Sequence, residues 1–323
     1  MKVKISHTNL TLFLLVVVVF FFSLFFSRYY IDGDQIPYFN AYKDVYGKSL
    51  FEGFWFYHNR ITTREPIHYL LVWAASNLGF DKNFVMSVAN SILAYVTVRV
   101  FLKWKVSIYV AVIIVCTNYY LWVLYFAAER LKFSFIFLML SFIYVERQKK
   151  SIYFAITSIL SHTQQIIIYG SILFSFAVKN SSYIIKYGRV KKNKIYFLIA
   201  FILFSAILYF YLGDHLRYKF ISYFSTSPKL SFMKIWKCLI FLILTLLVSN
   251  KWTQIFSIFS VLIIATLLFG DIRVNMMSFL VLMYFSLHKN RGINLILFFT
   301  TSYMLLKTCW FVYKTITTGQ GFG

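Results

Sequence analysis

The sequence predicts an all-α protein, a polytopic transmembrane bundle of about ten or eleven helices with a longer outer loop that carries a short interfacial helix. Three observations predict it. Of the 323 residues, 60% are hydrophobic and 13% charged, about half the charged share of a soluble domain. Several apolar runs are long enough to cross a bilayer, and the stretch 9–27 has no charge at all. The basic residues fall in short loops between those runs, as cytoplasmic loops of membrane proteins do. The formal net charge of +23 therefore points to topology, not to nucleic acid, which is excluded as a partner. Membrane lipids are the expected surroundings.

In chain order, the expected spans are 9–27, 83–102, 106–126, 130–146, 151–161, 164–178, 195–212, 234–249, 252–269, 274–288 and 292–311. Lys2 and Lys4 before the first run resemble a signal peptide, but the run is long and no small-residue cleavage site follows, so it reads as an uncleaved span. The pair flanking His162 reads either as two half-helices or as one span broken at 161–165. No internal repeat is visible, so 1–323 is one polytopic domain with the outer loop 28–82 inside it. In that loop Pro66 suits the first turn of a helix. The stretch 67–78 is too short to span and is expected at the outer interface. Cys116, Cys238 and Cys309 lie in apolar runs with no disulfide or metal spacing.

A cytoplasmic N-terminus puts Lys103, Lys105, Arg147, Lys149, Lys150, the cluster at 179–194, Lys251, Lys289 and Arg291 inside. Only one acid, Glu146, falls on that side. Asp32, Asp34, Asp44, Glu52, Glu65, Asp81, Glu129, Asp214 and Asp271 all fall outside. The outer face thus holds mixed charge, where chemistry would sit.

Arg28, Asp32 and Asp34 stand where the first span leaves the membrane. A continuing helix would place Arg28 and Asp32 on one face, either as an ion pair that ends the span or as part of a polar site. Asp32-Gly33-Asp34 has a form that suits Mg²⁺ or Mn²⁺, but two acids alone do not make a metal site, and no metal or other cofactor is assigned. Arg60, Arg64 and Glu65 follow, with His58 and His68 nearby. The arginine fork matches phosphate and carboxylate, and a solvated loop at lipid headgroups explains it equally. Glu129, Arg130 and Lys132 interrupt an otherwise apolar stretch from 106 to 145, where ionisable groups tend to be functional. His162 sits in the polar knot Ser161-His162-Thr163-Gln164-Gln165, and histidine moves protons near neutral pH. Asp214, His215, Arg217 and Lys219 form another outer cluster, and Asp271 with Arg273 closes the set. Two classes remain: an outer-leaflet enzyme acting on an anionic lipid-linked substrate, or a flippase or transporter. A transporter should show mid-membrane polar residues and interrupted helices in two related halves, and this sequence shows neither.

The order of these motifs resembles the EpsG-like family of bacterial polysaccharide polymerases, the Wzy-type O-antigen and capsule polymerases. The residues that carry the resemblance are Arg28…Gly33-Asp34…Tyr38, then Glu65-Pro66-Ile67-His68-Tyr69-Leu70-Leu71, then Ala127-Ala128-Glu129-Arg130-Leu131-Lys132, then Ser161-His162, and finally Arg273 before Met283-Tyr284-Phe285. The resemblance implies a glycosyltransferase in the bacterial inner membrane. It would join undecaprenyl-pyrophosphate-linked oligosaccharide repeat units at the outer leaflet, with a chain-length regulator and a flippase as expected protein partners. It implies catalytic roles for Arg130, His162 and Asp34, and substrate contacts from Arg28, Asp32, Arg60, Arg64, Glu65, Arg217 and Arg273. The alternative is a multi-span glycosyltransferase that uses polyprenyl-phosphate sugars and a metal held by Asp32 and Asp34.

Overall fold

The computed structural model describes residues 7–187, 206, 213, 217, 221, 232–269, 271–288 and 292–321. Among them the regular structure is helical throughout, in fourteen helices with no strand. Of the span expected at 195–212 only residue 206 is described, and Asp214, His215 and Lys219 lie outside the described residues.

The helices are α1 (His7–Phe26), α2 (Gln35–Val45), α3 (Leu50–Ile61), α4 (Pro66–Asn77), α5 (Lys82–Lys103), α6 (Ile108–Thr117), α7 (Tyr119–Phe126), α8 (Glu129–Ile143), α9 (Gln148–Ser161), α10 (Gln165–Tyr187), α11 (Phe232–Val248), α12 (Trp252–Phe269), α13 (Asp271–Leu287) and α14 (Leu295–Thr318). Three of them, α1, α5 and α14, are long and apolar enough to cross a bilayer. The pair α6–α7, bent by 60°, makes a fourth if counted as one span. Large apolar side chains such as Phe13, Phe21, Phe298, Phe299 and Leu306 are exposed on α1 and α14, the faces a membrane protein turns to lipid.

Among the described residues, length and composition thus support three or four spans, and the ten or eleven expected from the sequence are not all reached. Most of the other expected spans are helices, but α8 and α9 have only 15 and 14 residues, short of the ~20 a span requires. The 28–82 loop also differs from expectation. It holds α2 and α3 as well as the short helix expected after Pro66, α4. Ser49 caps α3 by accepting from the Glu52 N–H at 3.3 Å, a Ser-x-x-Glu start that a reading for long apolar runs passes over. Since α1 ends at Phe26, Arg28 and Asp32 do not share a helix face, contrary to the expected spacing.

The chain divides into two compact units, residues 1–165 with 287–323, and residues 166–286. In the first unit, α1 and α5 run antiparallel. Asn90 Nδ2 donates to Ser23 Oγ at 3.1 Å, and Ser91 Oγ to the Val16 carbonyl at 3.1 Å. Helices α8 and α9 form an antiparallel hairpin at serine contacts, Ser158 Oγ to the Ser134 carbonyl at 2.8 Å and Ser151 Oγ to the Ser141 carbonyl at 3.0 Å. Helix α5 lies parallel to α8, because Lys103 at its end donates to the Ile143 carbonyl at the end of α8, at 2.8 Å. The crossover between them is α6–α7, broken at Asn118, whose side chain accepts from the Tyr120 N–H at 2.9 Å and so restarts the helix.

These directions give the first unit two different ends. Lys103, Lys105, Arg147, Lys149 and Lys150 gather at one. The end of α1, the starts of α5 and α8 and the end of α9 gather at the other. The end of α14 joins the second group, with the Ile31 and Asp32 N–H groups donating to the Gly319 carbonyl at 3.0 and 3.1 Å. A groove of about 820 Å³ between α1 and α5 is lined mainly by apolar side chains, together with Asn9, Ser91 and Arg99, and contains none of the polar residues discussed below.

The second unit contains most of α10 and all of α11 and α12, with α13 up to Ser286. A short connection at 249–251 turns α11 back as α12. Ser175 Oγ of α10 donates to the Gln254 carbonyl at 3.4 Å, and Phe241 of α11 meets Phe279 of α13 edge-on, 5.6 Å between centroids.

Candidate functional site

The site is built around one carboxylate. Helix α3 ends in a left-handed Thr62, φ 53°, an unusual conformation for a β-branched residue. The chain then turns through Thr63 and Arg64 to Glu65, which precedes Pro66 and is extended, φ −73° and ψ 110°, as the residue before proline prefers. Pro66 occupies the first turn of α4, and the Glu65 side chain makes no capping bond to its own helix. It is therefore available to partners from elsewhere in the chain.

Those partners come from the start of α8 and from the turn after α9. Glu65 Oε2 accepts from Arg130 Nη1 at 3.0 Å. Glu65 Oε1 lies 2.6 Å from His162 Nδ1 and accepts from the Thr163 N–H at 3.2 Å. Arg130 Nε donates to the Tyr38 hydroxyl at 3.2 Å. Two sequence-distant stretches thus converge on a carboxylate only 1% exposed. Burial of this kind is tolerated when every charge is paired. The Arg130 side chain retains 14% exposure, and Nη2 has no bonding partner among the described residues. On the other side, His162 Nε2 lies 3.2 Å from Gln164 Oε1, and Gln164 is half-buried. The cluster therefore meets its surroundings at Arg130 and Gln164.

Aromatic residues wall the cluster. The Tyr57 hydroxyl lies 2.6 Å from His68 Nδ1, with both residues fully buried. The His68 ring meets Tyr38 and Phe133 at 5.8 and 5.6 Å between centroids. Burial, and next the nearby Arg130 guanidinium, push the His68 imidazole down to about 3, so it is neutral near pH 7. Burial likewise raises the Tyr57 phenol well above its ordinary value.

A second charged group lies beside the first. Lys82, first residue of α5, places Nζ 2.6 Å from Glu129 Oε1, with the two side chains 3% and 2% exposed. Lys82 Nζ also donates to Gln35 Oε1 and stands 4.1 Å from the Phe39 ring centroid. Gln35 Nε2 donates to the Phe126 carbonyl at 2.7 Å. Breaking such a buried pair costs about 3–5 kcal/mol. Lys132 is fully buried with Nζ 3.5 Å from Met86 Sδ.

Of the residues expected from the sequence, the structure brings together Arg130, His162 and Glu65. Asp34, expected to be catalytic, is exposed at the start of α2, one turn before Tyr38, and makes no direct bond to the cluster. Arg28, Asp32 and Arg64 are exposed. Arg60 pairs with Asp44 instead, Nε and Nη2 both 2.8 Å from Oδ2, at the surface. Arg273 is half-buried in α13 of the second unit, and Arg217 is helical and exposed. Among the described residues no three His, Cys, Asp or Glu side chains converge as a metal-binding group. Lys82 and Gln35 escape notice in the sequence because they stand at the edges of helices. Nothing in the sequence tells that Glu129, next to Arg130, pairs with Lys82. Searches for relatives found no matching family model, curated protein or solved structure.

Proposed function

We propose that this chain is a glycosyltransferase of the bacterial inner membrane that joins undecaprenyl-pyrophosphate-linked oligosaccharide repeat units at the outer leaflet. The observation that carries this reading is the Glu65 carboxylate held jointly by Arg130 and His162 at one end of the bundle. In the reading, the Arg130 edge with Nη2 binds pyrophosphate oxygens, a role suited to a planar fork of donors. His162, with Nδ1–H donated to Glu65, serves as the base through Nε2 once the Gln164 side chain, whose Oε1 stands 3.2 Å from that nitrogen, gives way to the acceptor hydroxyl. An acceptor hydroxyl oxygen bonds to the anomeric carbon of the donor, the bond from that carbon to pyrophosphate breaks, and pyrophosphate leaves with the electron pair. The hydroxyl proton goes to His162 Nε2, and the developing negative charge on the leaving group is met by Arg130.

The two unlike ends of the first unit support the orientation. The cluster lies opposite the basic residues Lys103, Lys105, Arg147, Lys149 and Lys150, which suits a cytoplasmic N-terminus and a site facing outward. The reading retains a bundle of ten or eleven crossings in which short helices such as α8 and α9 cross a locally thinned bilayer. The exposed Arg28, Asp32, Asp34 and Arg64 would contact the glycan beyond the pyrophosphate.

The test is polymer formation by purified chain in proteoliposomes supplied with an undecaprenyl-pyrophosphate-linked repeat unit. The expected result is a ladder of oligomers with release of undecaprenyl pyrophosphate. Transfer of single sugars from polyprenyl-phosphate sugars, with no ladder, would overturn the reading.

A further inference from the structure

We propose that Lys82 is a positioning residue for Arg130: it holds the Glu129 carboxylate aside, so that the guanidinium keeps one internal carboxylate partner and an open edge for a phosphate-type anion. This rests on the role given to Arg130 above.

Glu129 and Arg130 are consecutive residues in the first turn of α8, so their side chains leave the helix axis about 100° apart. Glu129 runs to Lys82 at 2.6 Å, and Arg130 runs to Glu65 and Tyr38 at 3.0 and 3.2 Å. Among the described residues, Lys82 is the only cation within ion-pairing distance of Glu129. Lys132, one turn further along α8, contacts Met86 Sδ instead. Lys82 is itself fixed by Gln35, whose amide is anchored on the Phe126 carbonyl, and by the face of Phe39. These contacts tie the starts of α2 and α5 to the end of α7, immediately before Arg130. Without the Lys82 charge, Glu129 would be a buried and unpaired carboxylate, and the cations left beside it would be its neighbour Arg130 and Lys132. A carboxylate turned to Arg130 would compete with phosphate oxygens for the same donors.

The experiment uses the full chain in lipid nanodiscs, modified with phenylglyoxal in the presence or absence of inorganic pyrophosphate. The Arg130 peptide is followed by mass spectrometry. In the wild type, Arg130 is expected to react and to be protected by pyrophosphate. Lys82→Met is expected to slow the modification by at least about fivefold, the lower range of coupling within one network, and to abolish protection. Lys82→Met/Glu129→Gln and Lys82→Arg are expected to restore both. Wild-type behaviour in Lys82→Met would overturn the proposal. So would a double variant that stays as unreactive as the single one, since Lys82 would then act other than through Glu129. If neither Lys82→Met chain accumulates as folded protein, the pair serves folding and the positioning role falls. None of these readouts depends on polymer formation. A wild-type chain that shows the pattern but makes no polymer would refute the polymerase reading and leave this one standing. If wild-type Arg130 reacts but is unprotected by pyrophosphate, its anion role fails, while the Lys82 dependence of its reactivity still decides the positioning.

Discussion

Glu65 Oε1 lies 2.6 Å from His162 Nδ1, although 97 residues separate the two in sequence. The same carboxylate holds Arg130 through its other oxygen. One anion therefore orients both the proposed base and the proposed phosphate-binding group. Glu65→Gln keeps a hydrogen-bonding side chain but removes the charge from both partners. We expect polymer formation to fall by on the order of 10²-fold or more, far more than protein abundance falls. Near-normal ladders from the Glu65→Gln variant would mean that the carboxylate is only a structural tie.

Arg130→Lys tests the donor fork. Lysine retains the charge but lacks the planar fork that reaches Glu65 and Tyr38 from separate nitrogens and leaves a further edge for an anion. The expected phenotype is loss of long chains at wild-type protein levels. Long chains made by the lysine variant would remove Arg130 from the phosphate-binding role.

His162→Gln distinguishes a base from a brace. Glutamine can still donate to Glu65 but cannot carry the acceptor's proton. If His162 is the base, lipid-linked single repeat units accumulate while the chain remains folded. A ladder of normal length distribution would pass the base role to Asp34, exposed one turn before Tyr38.

The neutral His68 predicts an acid limit to stability. Its folded-state value is about 3, against 6.5 ordinarily. Between those values the unfolded chain binds a proton that the folded chain does not, so the contribution is complete above pH 6.5 and is lost as pH falls toward 3, at up to about 1.4 kcal/mol per pH unit. His68→Phe should flatten the fall in thermal stability across this window relative to wild type. Identical slopes for the two proteins would show that His68 is not held neutral by its surroundings.

Topology is checked by cysteine labelling in a chain whose Cys116, Cys238 and Cys309 are replaced by serine. A cysteine at the exposed Asn59 should react with an impermeant maleimide added outside intact cells, and one at the exposed Lys149 only after permeabilisation. Labelling of position 149 from outside would invert the orientation and with it the outer-leaflet site.

Much of this arrangement was legible in the sequence because membranes make polar residues costly. Arg130 and His162 stand out as interruptions of apolar stretches, and Glu65 stands out beside Arg60 and Arg64 and in the Glu65-Pro66 stretch that carries the family resemblance. The pairing was not legible. Arg60 lies five residues before Glu65, yet it turns to Asp44 at the surface, whereas Arg130 crosses from another helix. Neighbouring charges such as Glu129 and Arg130 suggest a local pair, but helical geometry separates them and gives Glu129 to Lys82. The helices α2 and α3 were hidden for a different reason. They are short, α3 is marked mainly by its Ser49 cap and the left-handed Thr62 at its end, and α2 carries no side-chain cap.

The serine-lined hairpin of α8 and α9 works as a caliper. One jaw carries Arg130 at its start and the other delivers His162 at its end, and their hinge is the turn at 144–147, at the far, basic end. The arms have 15 and 14 residues. Adding one residue to either arm would advance its tip by ~1.5 Å and swing it by about 100°, and a single Glu65 could no longer meet both jaws. Length changes in this part of the chain should therefore be confined to the hinge, where they leave the gap between the jaws unchanged.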